Sequence, residues 1–291
     1  MQDNQIPARN MPIFIVGTQR SGTTLLTRIL STHPKLFIQN ELPLDTIFVN
    51  NADKGQIINN IESHFVARYK NTINEFIISK DLTFWGLKDP QLTEHLNSLE
   101  LFSPDSKFII IVRDPRGVVN SYIENKWGLG TNSYTGALRW VAEVKQQIDF
   151  CERFSENTIL LRFEDLIDDL VGSLQLICEH LGVVYDNDML NYYKKKFEYA
   201  PNKQNLNTTK APNTALKYKW KTHLSSKQLN DIEFVGLDAM RTLGYTLTTA
   251  ASEPGLLRIM WSKLHQAILG ELQIQYRLKV EHKIKRWKAK K

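Results

Sequence analysis

The residues best suited to chemistry stand early in the chain. Gly17-Thr18-Gln19-Arg20-Ser21-Gly22-Thr23-Thr24 follows the apolar run Ile13-Phe14-Ile15-Val16 and opens a helical pattern. A strand, a glycine-bearing turn and a helix N-terminus, in that order, cradle a phosphate with backbone N–H groups and the positive end of the helix dipole. The spacing matches G-x-x-x-x-G, but Thr23 stands where a nucleoside-triphosphate loop carries lysine. The usual charge partner for β- and γ-phosphates is therefore missing, and Arg20 supplies a planar cation inside the loop instead. Arg113 stands at the end of Phe108-Ile109-Ile110-Ile111-Val112, the strongest strand of the chain. A helix follows it, with Asp114 at the N-cap and Pro115 at the first position. Ser121 lies two turns along that helix.

Short β-rich runs alternate with helical patterns around these residues. Phe76–Ile78 and Trp85–Leu87 are weaker strand candidates, and Thr158–Phe163 is a further strand. Helices are expected over 21–31, over 171–181 with Gly182 as C-terminal cap, and over 226–243, stopped by Gly244. This alternation predicts an α/β fold with a parallel sheet covered by helices on both faces. The length, 291 residues, fits one large α/β domain or two smaller ones. With 42% hydrophobic and 23% charged residues the chain is neither disordered nor fibrous. Cys151 and Cys178 are too few for a disulfide framework and read as small core residues. No apolar run is long enough to span a membrane, and the polar start MQDNQIPARN lacks a signal-peptide core. The Asn-rich stretch 201–212 reads as a loop or lid.

Taken together the motifs resemble the PAPS-dependent sulfotransferases, whose donor is 3′-phosphoadenosine-5′-phosphosulfate. TQRSGTTLL (18–26) looks like the family's 5′-phosphosulfate loop and FIIIVRDPRGVVNSYI (108–123) like its 3′-phosphate segment. GLKDP (86–90), RFEDL (162–166) with a helix ending HLG (180–182), and ALKYKW (215–220) follow in the family's order. The match runs over roughly 12–245 and lies nearer the tyrosylprotein and bacterial branch than the cytosolic phenol branch, which carries lysine where Arg20 stands. It implies a P-loop-like three-layer α/β fold and sulfuryl transfer from PAPS to an acceptor hydroxyl by in-line displacement, leaving 3′,5′-bisphosphoadenosine. It also implies donor contacts at Arg20, Ser21, Gly22, Thr23, Thr24, Arg113, Ser121, Phe163 and Lys219. Lys217 and Lys221 compete with Lys219 for that place. Lys88 would bridge sulfate and donor in the transition state, and Arg20 would hold the leaving phosphate.

No metal is called for, because the motifs supply cations where a kinase uses magnesium. The resemblance to the tyrosylprotein branch implies Glu41 as the base, with Asp45 and His95 in reserve. Its apolar flanks (Leu36, Phe37, Ile38, Leu42, Leu44) predict a desolvated carboxylate with a raised pKa. His33 reads as a capping or packing residue. Two positions depart from the resemblance. Phe163 stands where the family often has tyrosine, and Pro43 stands where the tyrosylprotein branch has arginine, which speaks against an acidic peptide acceptor. A glycan or lipid-linked sugar is favoured, then a small-molecule natural product. The rival readings are a P-loop-type nucleotide or small-molecule kinase and a non-catalytic nucleotide-binding or membrane-scaffolding protein.

The net charge of +6 belongs to the C-terminus. From Arg258 to Lys291 ten Lys/Arg and two Glu give +8, leaving −2 for the rest, so the chain is not a nucleic-acid binder as a whole. The expected division is a sulfotransferase domain over 1–255 and a basic amphipathic helix over 256–291. Leu257, Trp261, Leu264, Ile268, Leu272, Tyr276, Val280, Ile284 and Trp287 form one stripe of that helix. Three readings stay open for it: packing on its own domain, pairing with a second copy, or lying on an anionic membrane. The expected location is the cytoplasm, with or without contact to the inner membrane face.

Overall fold

The structure is a computed structural model that describes residues 11–195, 208–211 and 214–281. In chain order its main elements are β1 (Ile13–Val16), α1 (Thr23–Leu30), β2 (Leu36–Asn40), α2 (Lys54–Tyr69), α3 (Ile73–Ser79), β3 (Phe84–Lys88) and β4 (Lys107–Val112). There follow α4 (Pro115–Asn125), α5 (Ser133–Arg153), β5 (Thr158–Arg162), α6 (Leu170–Leu181), α7 (Ser226–Thr242), α8 (Leu256–His265) and α9 (Glu271–Tyr276). Two compact units result. One comprises Met1–Val112 and Gln146–Asn213, the other Arg113–Lys145 and Thr214–Lys291.

The first unit carries a five-stranded sheet in the order β2-β3-β1-β4-β5, with every neighbouring pair parallel. Parallel strands covered on both faces need near-continuous apolar sequence. IFIV of β1 and FIIIV of β4 meet that need and are wholly buried. Alternation divides them between the faces. Ile13, Ile15, Ile109 and Ile111 join Leu26, Ile29 and Leu30 of α1 and Leu174, Ile177 and Cys178 of α6 in one core. On the other face Phe14 stacks on Phe108 at 5.5 Å and meets Phe102 edge-on at 5.1 Å, while Phe150 closes on Phe108 at 5.0 Å. The expected three-layer α/β fold is thus present.

Local signals explain where individual expectations fail. Phe76–Ile78 belongs to α3 and is not a strand. Thr72 and Glu75 form a reciprocal capping box (Glu75 N to Thr72 Oγ1 3.1 Å, Thr72 N to Glu75 Oε2 2.8 Å), and Ile73 and Ile77 bury one helical face. A strand absent from the sequence reading, β2, pairs along β3 from Leu36↔Phe84 to Asn40↔Lys88. It is an edge strand with only three apolar residues, so its signal is weak. Helix α2 is capped reciprocally by Asp53 and Gln56. Only residues 208–211 of the Asn-rich 201–212 stretch fall within the described residues.

In the second unit, Val119, Ala137, Trp220, Leu224 and Ile232 form the core. Beside it lies a buried ionic network. Asp114 caps α4 through Arg116 N (2.9 Å), and its carboxylate takes the Arg116 guanidinium at 2.6 Å. Arg116 also meets Glu233 at 2.7 Å and lies 4.2 Å above the Trp220 ring. Glu233 is fully buried and accepts from four further donors, the backbone N–H and hydroxyl groups of Thr248 and Thr249. Burial pushes its pKa up, but those hydrogen bonds outweigh it and hold it below the usual value. Among the described residues no helix is long and apolar enough to cross a membrane.

Removing one partner of such a network leaves an uncompensated buried charge. Glu233→Ala should cost about 3–5 kcal/mol in urea unfolding. A depressed carboxylate stabilises the fold above its unfolded pKa, and that contribution is lost as pH falls through the folded value. Glu233→Gln should therefore also flatten the acid limb of stability against pH; a loss under about 1 kcal/mol with an unchanged acid limb would show the network to be peripheral.

Candidate functional site

Parallel pairing brings every strand of the first unit to its C-terminal end on one edge of the sheet. Asn40 sits in register with Lys88, Ile15 with both Lys88 and Ile109, and Val112 with Arg162. The chain positions that leave this edge are Gly17, Glu41, Asp89, Arg113 and Phe163. In open α/β sheets ligands bind outside the carboxyl ends of the strands.

The turn after β1 is closed by Ser21 N donating to Thr18 O at 3.0 Å. Arg20 and Gly22 both take left-handed backbone, with φ of 75° and 103°. Such turns gather successive backbone N–H groups into an anion-binding concavity. Gly22 is obligatory for a second reason, since a Cβ there would collide with the Phe163 ring. Phe163, at the start of the short helix Phe163–Asp168, therefore lies directly on the loop. Helix α1 begins with no side-chain cap and no acidic residue in its first turn. Ser21 is fully buried, and its Oγ has no hydrogen-bond partner among the described residues. An unpaired buried hydroxyl costs about 1–3 kcal/mol unless something docks against it. An uncapped N-terminus, an orphaned hydroxyl and a concave loop fit a bound phosphate. Gln147, which no motif flagged, buttresses the loop by donating to Thr93 Oγ1 (2.8 Å) and Thr18 Oγ1 (3.4 Å).

Lys88 is 1% exposed, and its Nζ lies 3.5 Å from both Thr24 Oγ1 and Glu41 Oε1. Burial drives its pKa below the ordinary lysine value, and the Glu41 and Asp89 carboxylates oppose that shift. Burial raises the pKa of Asp89, against a hydrogen bond from Gln91 N at 2.8 Å. Glu41 departs from expectation. Its N–H donates to Lys88 O at 2.8 Å, and a φ of 52° swings the residue out of the β2 alternation. The side chain is 61% exposed, so the desolvated carboxylate suggested by its apolar neighbours is not found. The buried ion of this pair is the lysine.

Of the reserve bases, Asp45 lies exposed in the first turn of Leu44–Ile47, and His95 stacks on Phe48 at 4.7 Å, where burial lowers its pKa. His33 is a packing residue: its Nδ1 accepts from Lys35 N (3.1 Å), so Nε2 bears the proton donated to Val184 O (2.8 Å).

The remaining candidates belong to the second unit. The Arg113 carbonyl accepts from Trp140 Nε1 at 3.0 Å. Its side chain folds back along α4, where a Cβ on Gly117 would stand 3.0 Å from Arg113 Nε. Gly117 is thus the small residue that makes room for this arginine, and only its place one turn into the helix hinted at that. Ser121 Oγ accepts from Asn125 Nδ2 at 2.9 Å. Lys219 is held by Glu124 at 2.9 Å, which His223 also meets at 2.7 Å, whereas Lys217 is buried.

Residues 12–188 match the sulfotransferase family. A putative protein-tyrosine sulfotransferase of Caenorhabditis briggsae is 29% identical over 199 residues, which are 62% of this chain and 69% of that protein. Protein-tyrosine sulfotransferase A of Caenorhabditis elegans is 26% identical over 204 residues, 62% of this chain and 52% of its own length. The chain therefore spans about half of the latter relative. Among solved structures, the sulfotransferase domain from the curacin biosynthetic pathway superposes with a TM-score of 0.60 at 20% identity, covering 82% of this chain and 99% of that one.

Because folded Lys88 gives up its proton below the ordinary 10.5 of an unfolded lysine, stability should rise as pH climbs through the folded value. Lys88→Met should remove this rise and leave the melting temperature at pH 7 unchanged or higher. A fall of several degrees at pH 7 would mean instead that the Lys88–Glu41 pair holds the fold together.

Proposed function

The chain belongs to the sulfotransferase family, and from that premise we propose that it transfers the sulfuryl group of PAPS to an acceptor hydroxyl. A glycan or lipid-linked sugar is the first acceptor class, a small-molecule natural product the second. The observation that carries the donor assignment is the orphaned, buried Ser21 Oγ in a loop whose helix N-terminus is uncapped. The donor, when bound, supplies an electrophilic sulfur and a bisphosphate leaving group.

The chain's own residues supply binding, charge and a proton acceptor. Backbone amides of 20–24, with Arg20, Ser21, Thr23 and Thr24, hold the 5′-phosphate, and Phe163 packs behind Gly22 to fix the loop. Arg113 and Ser121 take the 3′-phosphate. Lys219, paired with Glu124 at 2.9 Å, is the further cation assigned to the donor. Lys88, fixed between Thr24 and Glu41, neutralises charge as it moves onto the leaving side. A buried ammonium is effective here because little water screens it. Glu41 accepts the proton of the attacking hydroxyl. Its exposure leaves it open to an acceptor arriving from solvent. The rival kinase reading has no support beyond the loop, given Thr23 in the lysine position and the family match. A peptide tyrosine is a further acceptor to be assayed, because the matched nematode relatives carry that name.

Thermal stabilisation by adenosine 3′,5′-bisphosphate should exceed that by AMP or ATP–Mg²⁺, and Arg113→Ala should weaken bisphosphate binding by about 1.5–3 kcal/mol. Equal shifts for the three nucleotides would remove the 3′-phosphate assignment. Glu41→Gln should spare bisphosphate binding while cutting turnover of labelled PAPS on sugar, small-molecule or peptide acceptors about 10²–10⁴-fold. Near-normal turnover would transfer the role of base to Asp45 or His95.

A further inference from the structure

The C-terminal helical segment is mounted the wrong way round for a soluble protein. From α8 it runs through a π-helical turn at Gln266–Gly270, through α9 and into a second π-helical turn at Arg277–Glu281. It is tied to the 128–132 segment of its unit through polar groups. Gln266 donates to Gly128 O (2.7 Å) and accepts from Thr131 N (2.8 Å), Gln273 Oε1 accepts from Gly128 N (2.8 Å), and Asn132 Nδ2 donates to Ser262 O (2.9 Å). Arg258 is anchored on buried Asp231 at 2.6 Å. Ser262 and Gly270 are the buried positions. A solvated amphipathic helix hides its apolar stripe; here Leu257, Met260, Trp261, Leu264, Ile268 and Leu272 all point outward, with exposures from 52% to 82%. The wide π turn keeps Gln266, Gly270 and Gln273 on the inner side while the apolar stripe continues on the outer one.

An exposed stripe of this extent marks an interaction surface. Charge selects the occupant. The sequence from Arg258 onward carries +8 against −2 for everything before it. A second copy would bring two such basic segments together, whereas an anionic lipid surface is complementary to one. Trp261 and Tyr276 are the residue types that favour the boundary between headgroups and acyl chains. We propose that this face docks the protein on an anionic membrane, with the apolar side chains in the acyl boundary and the basic residues on the headgroups. The helix lies in the plane of the surface and does not cross it. The inference is independent of the reaction assigned above.

Flotation of the full-length chain with phosphatidylcholine vesicles, with and without phosphatidylglycerol, tests it. The chain should float with the anionic vesicles and bind phosphatidylcholine alone at least ~10-fold more weakly. The double variant Leu264→Glu/Ile268→Glu changes only exposed positions. It should melt as the parent does and lose anionic-vesicle binding by ~10-fold or more. No flotation with either lipid, or undiminished flotation of the double variant, would overturn the proposal. So would light scattering that shows a dimer abolished by the double variant, since the face would then belong to a second copy.

Discussion

The parallel hydrogen bonding of five short strands is the constraint on which the rest of the first unit depends. Parallel strands all end at the same edge, and the register decides which residues end there side by side. Asn40 against Lys88 places Glu41 next to the lysine, and Phe163, one residue past β5, comes to rest on Gly22. None of these neighbours is close in sequence. One slip of β2 along β3 would move Glu41 away from Lys88 and turn the buried residues of the strand outward.

Within that frame the charges are arranged by burial. A lysine with its carbon chain and ammonium in the interior is costly unless a partner meets it. Lys88 has Glu41 on one side and Thr24 on the other, each at 3.5 Å, distances too long for a strong ion pair. This is an ammonium kept available. The loop beside it has the same character, with an uncapped helix and a buried hydroxyl lacking a partner among the described residues. Unsatisfied groups concentrated at one place fit an anion that would satisfy them together.

The second unit treats its charges in the opposite way. Arg116, Asp114 and Glu233 are buried and saturated, with hydrogen bonds to almost every available atom of Glu233. That network ties the start of α4 to α7 and to the Thr246–Thr249 turn. The same unit spends polar contacts on fastening its C-terminal helix, which leaves the apolar side of that helix outside. Polar groups thus serve as structural fasteners here, whereas in the first unit they are left open at the strand ends.

The sequence by itself determined the periodic and the local. Unbroken apolar runs made β1 and β4 legible as central strands, Asp114-Pro115 marked the start of α4, and Gly182 and Gly244 marked helix ends, both with positive φ. The turn after β1 was legible because Gly17 and Gly22 stand at fixed spacing between an apolar run and a helical pattern. Tertiary structure alone decided what depends on register and packing. Apolar flanks could not reveal that a φ of 52° exposes Glu41, because backbone hand is not written in neighbouring residue types. Phe76–Ile78 looked like a strand until the Thr72–Glu75 box and the packing of Ile73 and Ile77 fixed it as helix. The stripe from Leu257 to Tyr276 was plain in the periodicity, but which side of the helix meets the protein rested on hydrogen bonds to residues some 130 positions away, and no local pattern encodes those.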